Sequence, residues 1–356
     1  MHNSRQWNEG PFIRFNAKSI SREYGITIDD LSDNQAYIVS SYDPGIERRK
    51  WNVENGVIYG LSLQDLNEII EIFHLPLRKN FWRVPPSLRI RGSQKSLKFP
   101  MFMMVINMTP DSFYPGSRIA EEDLEQTLSL IKNEGGEVVD IGGQSTRPGS
   151  DPVSAEEEMR RIKRAVEAAL NMRLIVSVDS FMPEVLRECL EMGIHIINDV
   201  SGLENMEIAS LSRRYDVPLV LMHKKGDFKT MQRSPHYGNV INEIQSFFLS
   251  KLSQISEMGI EDNVILDPGI GFGKRVEDNI AIINNLSDFK LGHPLLIGLS
   301  RKSFIGAITG EKVEERGMSS LILNSIAISN GADIVRTHDL VENMKLMKII
   351  RKLKEY

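Results

Sequence analysis

The chain has 356 residues, 41% of them hydrophobic and 26% charged, which suffices for one barrel-sized domain and a further module. Its formal charge of −5 is spread over both signs without long like-charge blocks, so it offers no electrostatic footprint for nucleic acid or an anionic membrane. Cys189 is the only cysteine, which excludes a disulfide framework and a cysteine-based zinc site and leaves small-molecule chemistry as the favoured class.

The N-terminal segment predicts a separate small module. The opening "MHNSRQWNEG" lacks the charged-then-apolar build of a signal peptide, and no apolar run approaches the ~18 residues of a membrane span, so we expect a cytoplasmic protein. "AYIVSSYD" and "GVIYG" are typical of short strands, and "SLQDLNEIIEIFH" has helical spacing with Ser62 as its N-cap. Paired prolines and a basic run between Arg83 and Pro100 then interrupt the apolar periodicity. We therefore predict a small α+β module over residues 1–95 and a second domain over 96–356.

The second domain alternates short apolar strands with amphipathic helices. Its predicted strands are "MFMMVI", "EVVDI", "LIVSV", "HIIND", "PLVLM", "NVILD", "PLLIG" and "ADIVR". The predicted helices include "EEDLEQTLSLIKNE", "SAEEEMRRIKRAVEAAL", "PEVLRECLEM" and "VINEIQSFFLSKLSQISEM". The third of these contains Cys189, which we interpret as a buried thiol. Eight strand–helix repeats predict an α/β fold, a (β/α)8 TIM barrel, with an open doubly wound sheet as the alternative.

Polar segments follow all eight predicted strands. In chain order they are "NMTPDSF", "DIGGQSTRPGS", "SVDS", "INDVSG", "MHKKGD", "DPGIGFGK", "GLSRKSFIG" and "RTHD". A single aspartate after a strand is usually a helix cap or a turn residue, and glycines such as those of "GIGFG" often serve only a tight turn. Eight such segments at one end of a barrel instead indicate an active site, because barrel enzymes carry theirs at the carboxyl ends of the strands.

The side chains in these segments have a definite chemical character. Asp179, Asn198, Asp267 and Lys302 suit the edge of a flat, nitrogen-rich heterocycle, whose adjacent donors a carboxylate accepts as a pair. The cationic donors suit a phosphate or pyrophosphate, and they are Arg147, Arg336 and His338. Asn107 offers a carbonyl oxygen to Mg²⁺, which takes only one or two protein oxygens beside substrate phosphates and water. The implied ligand is a heterocycle that carries a pyrophosphate.

The segment from about Phe99 to the C-terminus resembles the dihydropteroate synthase family. The matching motifs are "NMTPDSF", "DIGGQSTRPG", "SVDS", "HIINDVSG", "LMHK", "ILDPGIGFGK", "GLSRKSFIG" and "VRTHD", in the family's order. The resemblance implies condensation of 6-hydroxymethyl-7,8-dihydropterin pyrophosphate with para-aminobenzoate, with release of pyrophosphate. It also implies a Mg²⁺ cofactor held by Asn107 and a homodimer.

The family's pattern assigns a role to each matching residue. It implies a pterin site made of Asp179, Asn198, Met222, Asp267 and Lys302. It implies a pyrophosphate site made of Asn107, Thr146, Arg147, Arg336 and His338. It implies an aminobenzoate pocket made of Phe113, Thr146, Pro148, Phe272 and Ser303. The implied catalytic set is Asp267, Lys302, Arg147 and Asp179.

This chain departs from the family's pattern in its first two barrel loops and at its N-terminus. Gln144 stands where the family usually has glutamate, and Tyr114-Pro115 replaces a more flexible Ser-Asp pair. For residues 1–95 we favour a structural or dimer-covering role. Three alternatives stay open: the same chemistry with a ribosylated aminobenzene, a methyltetrahydrofolate-corrinoid methyltransferase, and a non-catalytic pterin-binding protein. The methyltransferase needs no pyrophosphate site, so the pairs Thr146-Arg147 and Arg336-His338 argue against it.

Overall fold

The structure is a computed structural model that divides into two compact units, Met1–Val84 and Pro85–Tyr356. It describes the backbone of four strands in the first unit, and in the second it describes residues 88, 90, 99–109, 123–145, 153–260 and 263–353. The domain boundary near residue 95 stays a prediction.

The first unit contains a four-stranded antiparallel sheet with the strand order β1-β2-β4-β3. Its strands are β1 (Phe12–Ala17), β2 (Tyr24–Asp29), β3 (Asn52–Glu54) and β4 (Val57–Leu61). Strand β4 confirms the strand predicted from "GVIYG", whereas β1 and β2 were not predicted. The strand predicted from "AYIVSSYD" and the helix predicted from "SLQDLNEIIEIFH" lie outside the described residues.

The second unit is a barrel of eight parallel strands, which confirms the predicted (β/α)8 fold. The strands are β5 (Met101–Asn107), β6 (Val138–Gly142), β7 (Ile175–Asp179), β8 (Ile196–Asp199), β9 (Leu219–Met222), β10 (Val264–Asp267), β11 (Leu296–Gly298) and β12 (Ile334–Thr337). Hydrogen bonds join them in the order β10-β9-β8-β7-β6-β5-β12-β11. A parallel bridge between Leu266 and Leu295 connects the two ends of this sheet and closes the barrel.

The helices follow the strands in alternation and confirm the four helical segments quoted from the sequence. They are α1 (Leu124–Asn133), α2 (Ala155–Asn171), α3 (Pro183–Met192), α4 (Glu207–Tyr215), α5 (Val240–Ser256), α6 (Val276–Asn284), α7 (Ser303–Thr309), α8 (Gly317–Ser329) and α9 (Leu340–Leu353), with a 3-10 turn at Leu286–Phe289. Ser154 caps α2 by accepting a hydrogen bond from the backbone N–H of Glu157 at 3.2 Å. No described helix is long and apolar enough to cross a membrane.

The lower part of the barrel interior, toward the amino ends of the strands, is apolar. Every strand contributes at least one inward side chain to this cluster: Met101 and Met103, Val138, Ile175, Ile196, Val220, Ile265, Leu296 and Ile334. Leu88 and Ile90, which precede the first barrel strand, are buried in the same cluster with Phe99 packed against it. This end of the barrel is therefore filled by side chains and leaves binding to the opposite end.

Candidate functional site

The site arises where the inward-facing positions change from apolar to polar. Side chains on a strand alternate between its two faces, so the residue two positions after each apolar core residue also points into the barrel. These next positions are Asp140 and Gly142 on β6, Ser177 and Asp179 on β7, Asn198 on β8, Met222 on β9, Asp267 on β10, Gly298 on β11 and Arg336 on β12. One period-two pattern thus builds both the apolar floor and the polar site above it.

Strand register places four residues of neighbouring strands at one level of the barrel. Asn107 pairs with Gly142, Gly142 with Asp179, and Asp179 with Asn198 across consecutive parallel strands. Asp140 lies one inward step lower, paired with Ser177. Four of the predicted pterin-binding residues have a charged or amide side chain. They all lie at the carboxyl end of the barrel, and they are Asp179, Asn198, Asp267 and Lys302.

Arg336 connects the carboxylates of this level. Its Nε donates to Asp140 Oδ2 at 2.6 Å, and its Nη2 donates to Asp179 Oδ2 at 2.8 Å. Asp140 Oδ2 also accepts from Asn198 Nδ2 at 2.9 Å. The planar guanidinium thus bridges two carboxylates, and within the described part of the chain it uses two of its five N–H groups, which leaves further donors for a ligand.

Burial sets the electrostatics of the acidic groups. It raises the pKa of Asp179 to about 7, with the Arg336 charge opposing the shift and the charges of Asp140, Asp199 and Asp267 adding to it. It raises the pKa of Asp267 as well, against the opposing charge of Lys302. A bound ligand that donates hydrogen bonds to these oxygens would favour their ionised form.

Lys302 is the cation that lies near Asp267. Its ammonium donates to the backbone oxygen of Ile270 and lies 4.7 Å from the ring centre of Phe272. Burial lowers the pKa of Lys302 to about 8, although the nearby Asp267 carboxylate opposes this. Gly298 lies next to both cations, since a Cβ there would be in van der Waals contact with Lys302 Nζ at 4.0 Å and with Arg336 Cβ at 3.9 Å.

The loop after β10 is held against the loop after β9 by glycines and one buried lysine. Gly269 and Gly273 have positive φ, and a side chain on either would collide with a backbone oxygen of the β9 loop. Lys274 is buried and its ammonium donates to His223 Nδ1 at 3.0 Å, His223 O at 3.3 Å and Phe272 O at 3.1 Å. The glycines of "GIGFG" therefore serve close backbone approach, and the three acceptors match the three donors of Lys274.

Asn107 and His338 form a second polar group at the same mouth. Asn107 Nδ2 is 3.4 Å from His338 Nε2, and His338 Nδ1 is 3.1 Å from Ser300 Oγ. When Nε2 accepts from the amide, Nδ1 carries the proton and donates to Ser300. The amide oxygen of Asn107 is then the end turned away from His338.

The structure describes most of the remaining predicted residues. Met222 is buried at the end of β9, and Ser303 is exposed at the first position of α7. Cys189 is buried, and burial raises the pKa of its thiol to about 12, so it is no nucleophile. Four predicted site residues lie outside the described part of the chain: Phe113, Thr146, Arg147 and Pro148.

Asp140 is the principal residue of the site that sequence reasoning missed. The sequence predicts functional groups at the ends of the strands, whereas Asp140 lies inside β6 with no exposed surface. The signal that finds it is the alternation of β6, since Asp140 has the same inward parity as Val138 and Gly142. Lys274 was missed for a different reason. Nothing in the sequence shows that this lysine is buried, whereas the structure shows it in contact with His223.

Comparisons with known proteins show which family this chain belongs to. Residues 103–338 match the family model described as pterin binding enzyme. The chain is 38% identical over 264 residues to the dihydropteroate synthase of Escherichia coli K12, covering 73% of this chain and 94% of that protein. The Yersinia pestis dihydropteroate synthase in a sulfonamide drug complex superposes with a TM-score of 0.71 at 34% identity, covering 76% of this chain and 100% of that one. The Burkholderia cenocepacia enzyme complexed with 7,8-dihydropteroate gives 0.67 at 31% identity, covering 76% and 98%.

Proposed function

The chain belongs to the pterin binding enzyme family as a dihydropteroate synthase, and we propose that it condenses 6-hydroxymethyl-7,8-dihydropterin pyrophosphate with para-aminobenzoate and releases pyrophosphate. The observation that carries this proposal is the convergence of Asp179, Asn198 and Asp267 with Arg336 and Lys302 at one barrel mouth. Relatives crystallised with 4-aminobenzoate and with 7,8-dihydropteroate support it.

The pterin edge presents adjacent N–H and amino donors, which the buried acceptors of the site match. Asp179 and Asp267 provide carboxylate oxygens and Asn198 provides an amide oxygen. Each acceptor is largely removed from water, so a ligand that leaves one unpaired loses affinity. Lys302 donates at the same level and adds a positive charge beside Asp267.

The reaction needs no nucleophile from the protein. The arylamine nitrogen attacks the methylene carbon next to the pterin ring, the carbon–oxygen bond to pyrophosphate breaks, and the amine loses a proton. Positive charge develops on the pterin ring while the pyrophosphate departs. The carboxylates of Asp179 and Asp267 stabilise this charge. Negative charge develops on the leaving group, where Arg336, with N–H groups that no described residue accepts, and the imidazole of His338 supply donors.

The residues present fit a magnesium ion at Asn107. Its amide nitrogen faces His338, which leaves the amide oxygen as a hard ligand toward the mouth. The part of the chain with described side chains has no cluster of three acidic, histidine or cysteine ligands, in keeping with a metal whose other ligands are substrate phosphates and water. When bound, Mg²⁺ neutralises charge on the leaving pyrophosphate.

Phe272 and Ser303 provide the described part of the aminobenzoate pocket. The ring of Phe272 is fixed by Lys302 on one side and by an edge contact with Phe228, whose ring centre is 6.4 Å away. Such a ring offers a stacking surface to an arylamine. Phe113, Thr146, Arg147 and Pro148 complete the pocket and the pyrophosphate site in this proposal.

A comparison of two ligands tests the leaving-group assignment. His338→Ala is the cleaner variant, because Arg336 also holds Asp140 and Asp179. Turnover of the pyrophosphorylated pterin should fall by roughly one to three orders of magnitude, the scale of losing one charge-stabilising donor. Calorimetric affinity for 6-hydroxymethylpterin, which has no phosphates, should stay near that of the unchanged protein.

The matched control is His293→Ala, a buried histidine before β11 at the opposite end of the barrel. It should alter neither measurement. Equal losses for both ligands in His338→Ala would mean that His338 only supports the barrel rim. Absence of pyrophosphate release by the unchanged protein with any arylamine would reject the proposed activity.

We propose that the chain forms a homodimer through an apolar stripe on α8. Met318, Ile322 and Ile326 lie four residues apart on one side of the helix and are 65%, 53% and 41% exposed. An apolar face of this kind on a globular protein marks an interaction surface, and a two-fold dimer is the commonest assembly. Ile322→Glu should convert the dimer to a monomer in analytical ultracentrifugation, while Leu130→Glu, an equally exposed site on α1, should not.

A further inference from the structure

Asp140 is a buried carboxylate that the mechanism above leaves without a task. It has no exposed surface and lies one inward step below the level of Asp179 and Asn198. One of its oxygens, Oδ2, accepts both Arg336 Nε at 2.6 Å and Asn198 Nδ2 at 2.9 Å. Its other oxygen has no partner among the described residues. The carboxylate therefore contacts two site residues from below without reaching the mouth itself.

The ion pair with Arg336 decides which end of the Asn198 amide faces Asp140. A carboxylate paired with a guanidinium carries its charge and offers only acceptors. The amide of Asn198 must then present its nitrogen, because its oxygen would place two acceptors against each other. The amide oxygen is consequently turned away from Asp140, toward the level of Asp179, and no described residue donates to it.

We infer that Asp140 is a positioning residue that fixes Asn198 as a hydrogen-bond acceptor and thereby selects a pterin ring, with its 2-amino donor, over the corresponding 2-oxo ring. The inference rests on the proposed function, since it concerns the same ring-binding site. A 2-oxo ring presents a carbonyl oxygen where a pterin presents an amino group. Asn198 cannot turn over to donate to that oxygen while its nitrogen is held by Asp140.

Asp140→Ser tests the inference. The serine hydroxyl both donates and accepts, so the Asn198 amide no longer has to present its nitrogen and is free to adopt either orientation. The probes are 6-hydroxymethylpterin and its 2-oxo analogue, 6-hydroxymethyllumazine, titrated by calorimetry. The unchanged protein should prefer the pterin by roughly 10- to 100-fold, the scale of one mismatched buried hydrogen bond. In Asp140→Ser this ratio should narrow by about tenfold or more.

The control is Asp333→Ser, which removes a buried, ion-paired carboxylate at the opposite end of the barrel, where Lys290 contacts it at 2.9 Å. Its preference ratio should match that of the unchanged protein. A general loss of rigidity would narrow the ratio in both variants and would overturn the inference. So would an Asp140→Ser protein that loses affinity for both rings by the same factor.

Two further outcomes are distinguishable. If Asp140→Ser does not fold, as judged by its melting curve, Asp140→Ala replaces it, because it removes the acceptor that holds the Asn198 nitrogen and should narrow the ratio in the same way. If the unchanged protein binds neither ring, the proposed function itself fails. If it binds both rings equally, the function stands and the assignment of Asn198 as an acceptor is overturned.

Discussion

The lower and upper halves of the barrel interior are built by the same eight strands with the same inward parity, yet they obey different rules. Below, Met103, Ile265 and Leu296 are buried against one another and require only volume and shape. Above, most inward positions are polar, and Asp140, Asn198 and Arg336 are positioned by each other. The contrast teaches that the lower half sets stability through packing, whereas the upper half sets function through pairing.

The largest effect should come from breaking the upper network at Asp179. Asp179→Ala removes one of the two carboxylates that Arg336 holds and one acceptor for the pterin edge. Breaking a buried ion pair costs about 3–5 kcal/mol, and we expect pterin affinity to fall by at least a hundredfold. Calorimetry with 6-hydroxymethylpterin measures this, and an unchanged dissociation constant would remove Asp179 from the pterin site.

A cavity in the lower half should affect stability alone. Met103 is fully buried in the apolar cluster, so Met103→Ala should lower the free energy of unfolding by about 2–5 kcal/mol. Denaturant unfolding gives this value, and KM for both substrates should stay near that of the unchanged protein. A selective rise in the KM for the pterin would show that the two halves are not independent.

The cost of an ill-matched polar group should appear at Glu158 on α2. Burial raises its pKa from 4.5 to about 7; the neighbouring Ser180 opposes the shift, the charge of Asp179 adds to it, and the charge of Arg161 opposes it. A carboxyl whose folded pKa is raised binds more protons in the folded state, so stability falls as pH rises from about 4.5 to about 7.

Glu158→Gln should therefore stabilise the protein at pH 8 and leave it nearly unchanged at pH 4.5. The gain has an upper limit of about 3 kcal/mol, from the size of the pKa shift. Thermal unfolding at the two pH values measures it. The same gain in stability at pH 4.5 and at pH 8 would show that the difference between glutamate and glutamine at this position comes from packing and not from ionisation.

The smallest effect should come from Ser177, which lies in the upper half but behaves as part of the lower one. Its hydroxyl is buried and has no partner among the described residues. Ser177→Ala should be neutral or stabilising by less than about 1 kcal/mol, because it removes an unpaired polar group and leaves little space. Unfolding curves and the pterin titration together check this, and a clear loss of pterin affinity would place the hydroxyl in the binding network.

Much of the fold was readable from the sequence because each barrel strand is a short apolar run between turn signals. "PEVLRECLEM" even gives the bounds of α3 as the structure has them. Strands β1 and β2 were missed because "FIRFNA" and "YGITID" are short and mix apolar with polar residues. Periodicity detects elements that bury one face, and such short mixed strands carry too little of that signal.

The site divides in the same way. Asp179, Asn198 and Asp267 were predicted, because a polar residue at the end of an apolar strand interrupts the pattern and is easily seen. Asp140 lies within such a strand, and its importance depends on an arginine 196 residues later in the chain. Contacts of this separation are fixed by barrel closure, which no local pattern records.

Leu88 and Ile90 belong to the barrel core although they precede its first strand. A gene that gains or loses the N-terminal module by recombination therefore keeps an intact barrel floor when the crossover falls before the codon of Leu88. A crossover after the codon of Ile90 removes two side chains from the core and exposes the apolar residues they cover. The short stretch of coding sequence between these two codons and the first barrel strand is thus inherited with the catalytic domain, whatever module stands in front of it.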